Sequence, residues 1–240
     1  MPEYFLGVLM NNFFRSFFRV LWKIIKWFFI LSVVSVVLFR FIPVPVTPLM
    51  LIRCIEQKAD GKELKLKKDW TSIENISLVM PLAAMAAEDQ KFEEHFGFDL
   101  EAIQKAQNYN QKHKGRRVRG ASTISQQTAK NVFLFPSRSW IRKGFEVYFT
   151  FLIEICWNKE RIMEVYLNVV ETGDGIYGAE AASQEYFHKP SKKLSVRESA
   201  LIAAILPNPR KWSAVKPSAF VQRKAQRIMH FMGHMPSKSE

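Results

Sequence analysis

Apolar residues crowd the first forty positions and then fall into helical spacing. Residues 27–39 read WFFILSVVSVVLF without a charge, and widening the window to 20–42 admits only Lys23, Lys26 and Arg40. A helix crossing about 30 Å of hydrocarbon needs roughly 20 mostly apolar residues. Basic side chains near its ends can carry their charge to the headgroups, and Trp22 and Trp27 suit the interface. The expectation is a single spanning anchor over 20–42 behind a short segment, 1–19. A cleaved signal peptide and a buried core helix are the competing readings. No small-residue cleavage site follows the run, however; PVPVTP does.

Beyond a stiff Pro-rich connector at 43–48, one domain is expected over 49–240. Leu82, Met85, Ala86 and Phe92 give one helical stripe, and Ile141, Phe145, Tyr148, Leu152 and Cys156 give another. Further helices are expected at 159–168, 179–187, 196–206 and 217–232. Strand alternation is brief, confined to Leu64 and Leu66. Residues 147–157, VYFTFLIEICW, are apolar on nearly every side, which predicts a helix through the centre of the domain. Glu154 inside it should be a buried, structurally paired carboxylate. The fold class read from this pattern is mainly α.

Composition narrows the picture further. Of 240 residues 48% are apolar and 24% charged, which excludes a disordered chain. Two cysteines, Cys54 and Cys156, can neither staple a fold nor hold zinc; Cys156 is expected as a buried free thiol. The net charge of +13 divides into +4 over residues 1–46 and +9 over the rest. Arg15, Arg19, Lys23 and Lys26 precede the apolar run, which places its N-terminus in the cytoplasm and the domain outside.

Three stretches carry candidate chemistry. In EDQKFEEHFG (88–97), Glu88 leaves a small-residue helix with Phe92 and His95 expected on the same face. Desolvation there would suit it to acid–base work; a solvated Glu closing an amphipathic helix is the alternative. Residues 108–131 hold a basic loop with Lys112, Lys114, Arg116, Arg117 and Arg119, then Gly120, Ser122 and a capping box over 123–126. Gln126, Gln127 and Lys130 can share a face near that helix start and cradle a phosphate; the loop alone could equally be a solvated or headgroup-facing patch. In the third stretch, Arg142 and Glu146 are one turn apart, which a plain ion pair also explains. HExxH, GxGxxG, Walker A and GxSxG motifs are all missing, and His230 and His234 lack a third ligand.

Taken together, five blocks in order resemble glycosyltransferase family 51, the transglycosylase domain of class A penicillin-binding proteins. They are EDQKFEEHFG (88–97), GASTISQQTAKN (120–131), RKGFE (142–146), KERIMEVYLN (159–168) and SALIAAILPNP (199–209). No penicillin-binding segment follows in the sequence, which points to the monofunctional members. The resemblance implies a lysozyme-like helical fold and polymerisation of lipid II into β-1,4 glycan with release of undecaprenyl pyrophosphate. It makes Glu88 the general base and Glu146 the second essential carboxylate. Ser122, Gln126, Gln127, Lys130, Arg138 and Arg142 fall on substrate-binding positions. No organic cofactor is implied; Mg²⁺ near Glu146 is the metal expectation.

The implied partners are lipid II, the growing glycan strand, membrane lipid and proteins of cell-wall synthesis or division, with no nucleic acid. The implied location is the bacterial inner membrane, single-pass, with a periplasmic catalytic domain. In that setting VFLFP (132–136) could dip toward acyl chains or pack in the core. The rivals are a lysozyme-like lytic transglycosylase or hydrolase, and a membrane-tethered basic binding module.

Overall fold

The computed structural model describes residues 2–113, 120–137 and 139–234, with side chains described from residue 15 onward. The chain divides into two units, Met1–Ile42 and Pro43–Glu240. The first is a single helix, α1 (Pro2–Phe41). Within it Arg15–Phe41 has a mean hydropathy of 2.1 and is long and apolar enough to cross a membrane.

The second unit follows the order α2 (Pro48–Ala59), β1 (Lys67–Lys68), α3 (Val79–Glu88), α4 (Leu100–Lys112), α5 (Ile124–Phe133), α6 (Trp140–Cys156), α7 (Lys159–Val169), β2 (Glu171–Gly173), β3 (Ile176–Tyr177), α8 (Gly178–Phe187), α9 (Val196–Ile205) and α10 (Ala219–Met232). The mainly α expectation holds, and the four helices expected after residue 158 are all present. Pro48 belongs to α2, where it opens the first turn behind the Thr47 cap. The three strands form one small sheet in the order β1-β3-β2, with β1 parallel and β2 antiparallel to β3. Strands of two or three residues carry no readable alternation, which is why the sequence hid them.

Two packing centres position the rest. In the first, Ala83 and Ala86 of α3 meet Ala200, Ala203 and Ala204 of α9, with Val221, Ala225 and Ile228 of α10 closing the cluster. Alanines let helices approach at the short end of the usual interaxial range, so the C-terminal end of α3 is held firmly. In the second, α5 packs on α6 and α7, and Phe133 stacks on Phe149 with ring centroids 4.6 Å apart.

Three expectations are corrected here. Helix α3 stops at Glu88, with Asp89 at φ −160° as its C-cap, so Phe92 and His95 arrive by turns rather than along one helical face. Gly97 closes that turn region at φ +76°, where an added Cβ would lie 2.8 Å from Thr150 Cγ2. Helix α6, in turn, does not run through the centre with apolar residues all round. Its buried side carries Glu146, Phe149, Thr150, Ile153 and Glu154, while Trp140 is 93% and Ile141 76% exposed, with Phe145, Val147, Phe151 and Ile155 exposed beside them. The inward carboxylates are satisfied: Glu154 accepts from Ser125 Oγ and from Lys159 Nζ at 2.8 Å, the structural pairing expected of it. Cys54 and Cys156 are free thiols, both half-buried, so Cys156 is less enclosed than expected.

Candidate active site

Glu88 is the last residue of α3 and looks into a cleft of about 520 Å³ shared with Asp89, Ser122, Gln127 and Lys224. Gln127 Nε2 donates to Glu88 Oε2 at 2.9 Å. The Tyr166 hydroxyl, from the fully buried ring on α7, donates to Gln127 Oε1 at 3.5 Å, which orients the amide with its nitrogen toward Glu88. Burial pushes the Glu88 carboxyl up from its ordinary range, and this outweighs the opposing pull of the Gln127 hydrogen bond and of the Lys224 and Lys130 charges. Burial also raises the Tyr166 phenol well above its usual value, so it stays a neutral donor.

The wall opposite Glu88 is held by its neighbour. Asp89 is buried, takes the Ile124 backbone N–H at the start of α5 at 3.0 Å, and pairs with His95 Nε2 at 2.9 Å. It thereby ties the end of α3 to the beginning of α5. Thr123 and Gln126 complete the capping box expected there, each side chain bonding the other's backbone N–H. Gln126 is therefore buried in the cap, whereas Gln127 and Ser122 reach the cleft.

One turn further along α5, Lys130 faces a second cavity of about 490 Å³, lined also by Arg53, Asn131, Arg142 and Glu171. No hydrogen bond or ion pair holds the Lys130 ammonium among the described residues. Burial lowers its proton affinity, and the nearby carboxylates of Glu146 and Glu88 partly restore it. Glu146 is 3% exposed, with Arg142 Nη1 at 2.6 Å on one oxygen and Lys143 Nζ on the other. The structure thus puts Glu88, Ser122 and Gln127 in one cleft and Lys130 and Arg142 in the other. Helix α5 supplies both, and Lys130 feels both carboxylates. Arg138 lies outside the described residues, as do Lys114, Arg116, Arg117 and Arg119.

Sequence reasoning missed Lys224, Asp89 and Tyr166. Lys224 comes from α10, 136 positions from Glu88; it lines the Glu88 cleft, donates to the Ala204 carbonyl at 3.2 Å and sits 5.7 Å from the Trp212 ring centroid. No local spacing announces such a group. Asp89 did stand beside Glu88 in the motif, and a second carboxylate next to a candidate base was signal enough to examine it.

A family model described as Transglycosylase matches residues 57–233. The chain belongs to the transglycosylase family. This transglycosylase resembles the biosynthetic peptidoglycan transglycosylase of Bacteroides thetaiotaomicron at 50% identity, covering 92% of this chain and 89% of the relative. Proteins of the same description from Bdellovibrio bacteriovorus (52%, covering 87% and 82%) and Caulobacter vibrioides (54%, covering 82% of each) match similarly. The chain is accordingly an enzyme of the peptidoglycan glycosyltransferase class.

Proposed function

We propose that this transglycosylase polymerises lipid II into β-1,4 glycan, with Glu88 as general base. The observation that carries the reading is Glu88 itself: a carboxylate at the cleft, oriented by Gln127, with Lys130, unpaired among the described residues, one turn along Gln127's helix. In the reaction Glu88 takes the proton of the acceptor's GlcNAc 4-hydroxyl as that oxygen attacks C1 of the donor MurNAc. The C1–O bond to the diphosphate breaks, its electrons stay with undecaprenyl pyrophosphate, and the anomeric centre inverts. A raised proton affinity suits Glu88 to this transfer near neutral pH. No second carboxylate has to protonate the leaving group, because Lys130 and Arg142 meet its developing charge.

Glu146 sets the direction of those cations. Its carboxylate is buried and committed to Arg142 and Lys143, so it orders the guanidinium that lines the second cavity. Both of its oxygens carry a cation in this structure. No cluster of three metal-ligating side chains occurs among the described residues, so an Mg²⁺ here would be held by one or two carboxylates together with the substrate's phosphates, and no step runs through one.

The anchor is assigned to the bacterial inner membrane with its N-terminus cytoplasmic, on the strength of the basic residues before the apolar run. The apolar outer face of α6 and Phe135, also exposed, are assigned to lipid, where a lipid-linked substrate arrives. The cations of the second cavity, one turn along α5 from Gln127, support a phosphate leaving group over hydrolysis. Purified full-length protein given labelled lipid II should convert it to polymer. A hydrolase would leave lipid II intact and shorten preformed strands.

A further inference from the structure

The second cavity contains a cation that none of the motifs supplies. Arg53 comes from α2, ahead of the residues matched by the family model, yet it lines the same 490 Å³ space as Lys130 and Arg142. We propose that Arg53 is a substrate-binding residue, the third cation of a cradle that takes the donor's diphosphate. The proposal rests on the reading of Lys130 and Arg142 given above and adds the cation that α2 brings to the same cavity.

Three observations support it. Charge comes first: Arg53, Lys130 and Arg142 line one cavity with a single carboxylate, Glu171. Glu56 and Glu146 offset the two arginines, and the Lys130 ammonium, unpaired among the described residues, is left for an anionic diphosphate. Next is incomplete pairing. Arg53 Nε, Arg142 Nε and Glu171 Oε1 are buried atoms without a hydrogen-bond partner, and all three residues line this one cavity. Buried polar atoms are ordinarily satisfied, so two unpaired guanidinium N–H donors on one space mark where an anion completes the set.

The third is how Arg53 is held. Its Nη1 donates to Glu56 at 2.7 Å, but Nε stands 3.4 Å from Glu171, longer than a well-formed charged hydrogen bond. Arg53 is therefore pre-positioned by Glu56 and only loosely held by Glu171. An arriving diphosphate can take the open side of the guanidinium without breaking the stronger contact. Two forked guanidiniums lining one cavity with a flexible ammonium give directional grip, which suits phosphate oxygens.

The test uses the full-length protein in detergent, with inorganic pyrophosphate as a competitive probe against lipid II. Arg53→Gln should raise the pyrophosphate inhibition constant about tenfold. The KM for lipid II should rise in parallel, with kcat changed less and the thermal midpoint held. Arg53→Lys should recover most of the pyrophosphate affinity. An inhibition constant unchanged in Arg53→Gln would overturn the proposal. So would equal losses in both variants accompanied by a matching fall in thermal midpoint, since that pattern belongs to a structural ion pair. Glu88→Gln, tested alongside, should bind pyrophosphate like the parent. Should that variant still polymerise, the base assignment fails while the Arg53 result stands or falls on its own reading.

Discussion

Gln127 donates its side-chain amide to Glu88 at 2.9 Å while Tyr166 holds the other end of the same amide. The relay fixes the direction of the hydrogen bond and lowers the proton affinity of a carboxyl that burial raises. Gln127→Leu removes the side-chain hydrogen bond that lowers that group among the described residues, so Glu88 should hold its proton to higher pH. The acid limb of the kcat/KM profile, which follows loss of the Glu88 proton, should move up by about one pH unit. A pH–rate profile checks this; an unmoved limb, or one moved to lower pH, would show that Gln127 does not tune the base.

Lys130 is a partly buried ammonium with no partner among the described residues, and burial depresses its proton affinity. Such a group costs the fold something in the absence of ligand. Lys130→Met should therefore leave the thermal midpoint at or above that of the parent while raising the KM for lipid II about tenfold or more. Calorimetry and initial rates with lipid II separate the two effects. A collapse in stability would assign Lys130 to the structure.

Asp89 performs the reverse service. It is buried between the Ile124 N–H and His95, so Asp89→Ala leaves a helix-start donor and a histidine unpaired. The expected loss is about 3 kcal/mol, measured by denaturant unfolding of the full-length protein. Activity should fall as well, because α5 carries Gln127 and Lys130. A loss under about 0.5 kcal/mol would show that α3 and α5 are joined by other means.

Trp140 and Ile141 stand almost wholly in solvent at the start of α6, against the hydrophobic effect. Trp140→Ser with Ile141→Ser should leave the thermal midpoint unchanged and lower turnover of lipid II embedded in vesicles by about fivefold or more. The same variant should lose less with a short-chain, detergent-soluble donor. Equal losses with both donors would place these residues in the fold rather than at the lipid.

Helix α6 also shows where sequence legibility ended. Its existence followed from spacing, while its start is set by the Ser139 cap, and its buried side differs from the expected one. The helix was expected to be apolar on nearly every side and central, with Glu154 alone as a buried carboxylate. Glu154 is buried as expected, but Glu146 and Thr150 turn inward with it while Ile141 and Phe145 are exposed. Glu146, Thr150 and Glu154 repeat every four residues, and a polar stripe in an otherwise apolar helix was the available clue. By contrast the start of α5 was legible to the residue, since Thr123 and Gln126 specify a capping box by local chemistry alone. Lys224 and Arg53 were not, because their places in the two cavities depend on tertiary packing that no local spacing encodes.

Glu88 is the point on which the account turns, and its conservative amide variant tests it most directly. A carboxyl whose proton affinity is higher folded than unfolded weakens the fold as pH rises through its folded value. Glu88→Gln removes that charge, so its thermal midpoint at pH 7 should equal or exceed the parent's. The decisive measurement is polymerisation of labelled lipid II by this folded variant. The expected result is a fall in turnover of about a thousandfold or more with the midpoint retained; turnover within about tenfold of the parent would contradict the assignment of the base.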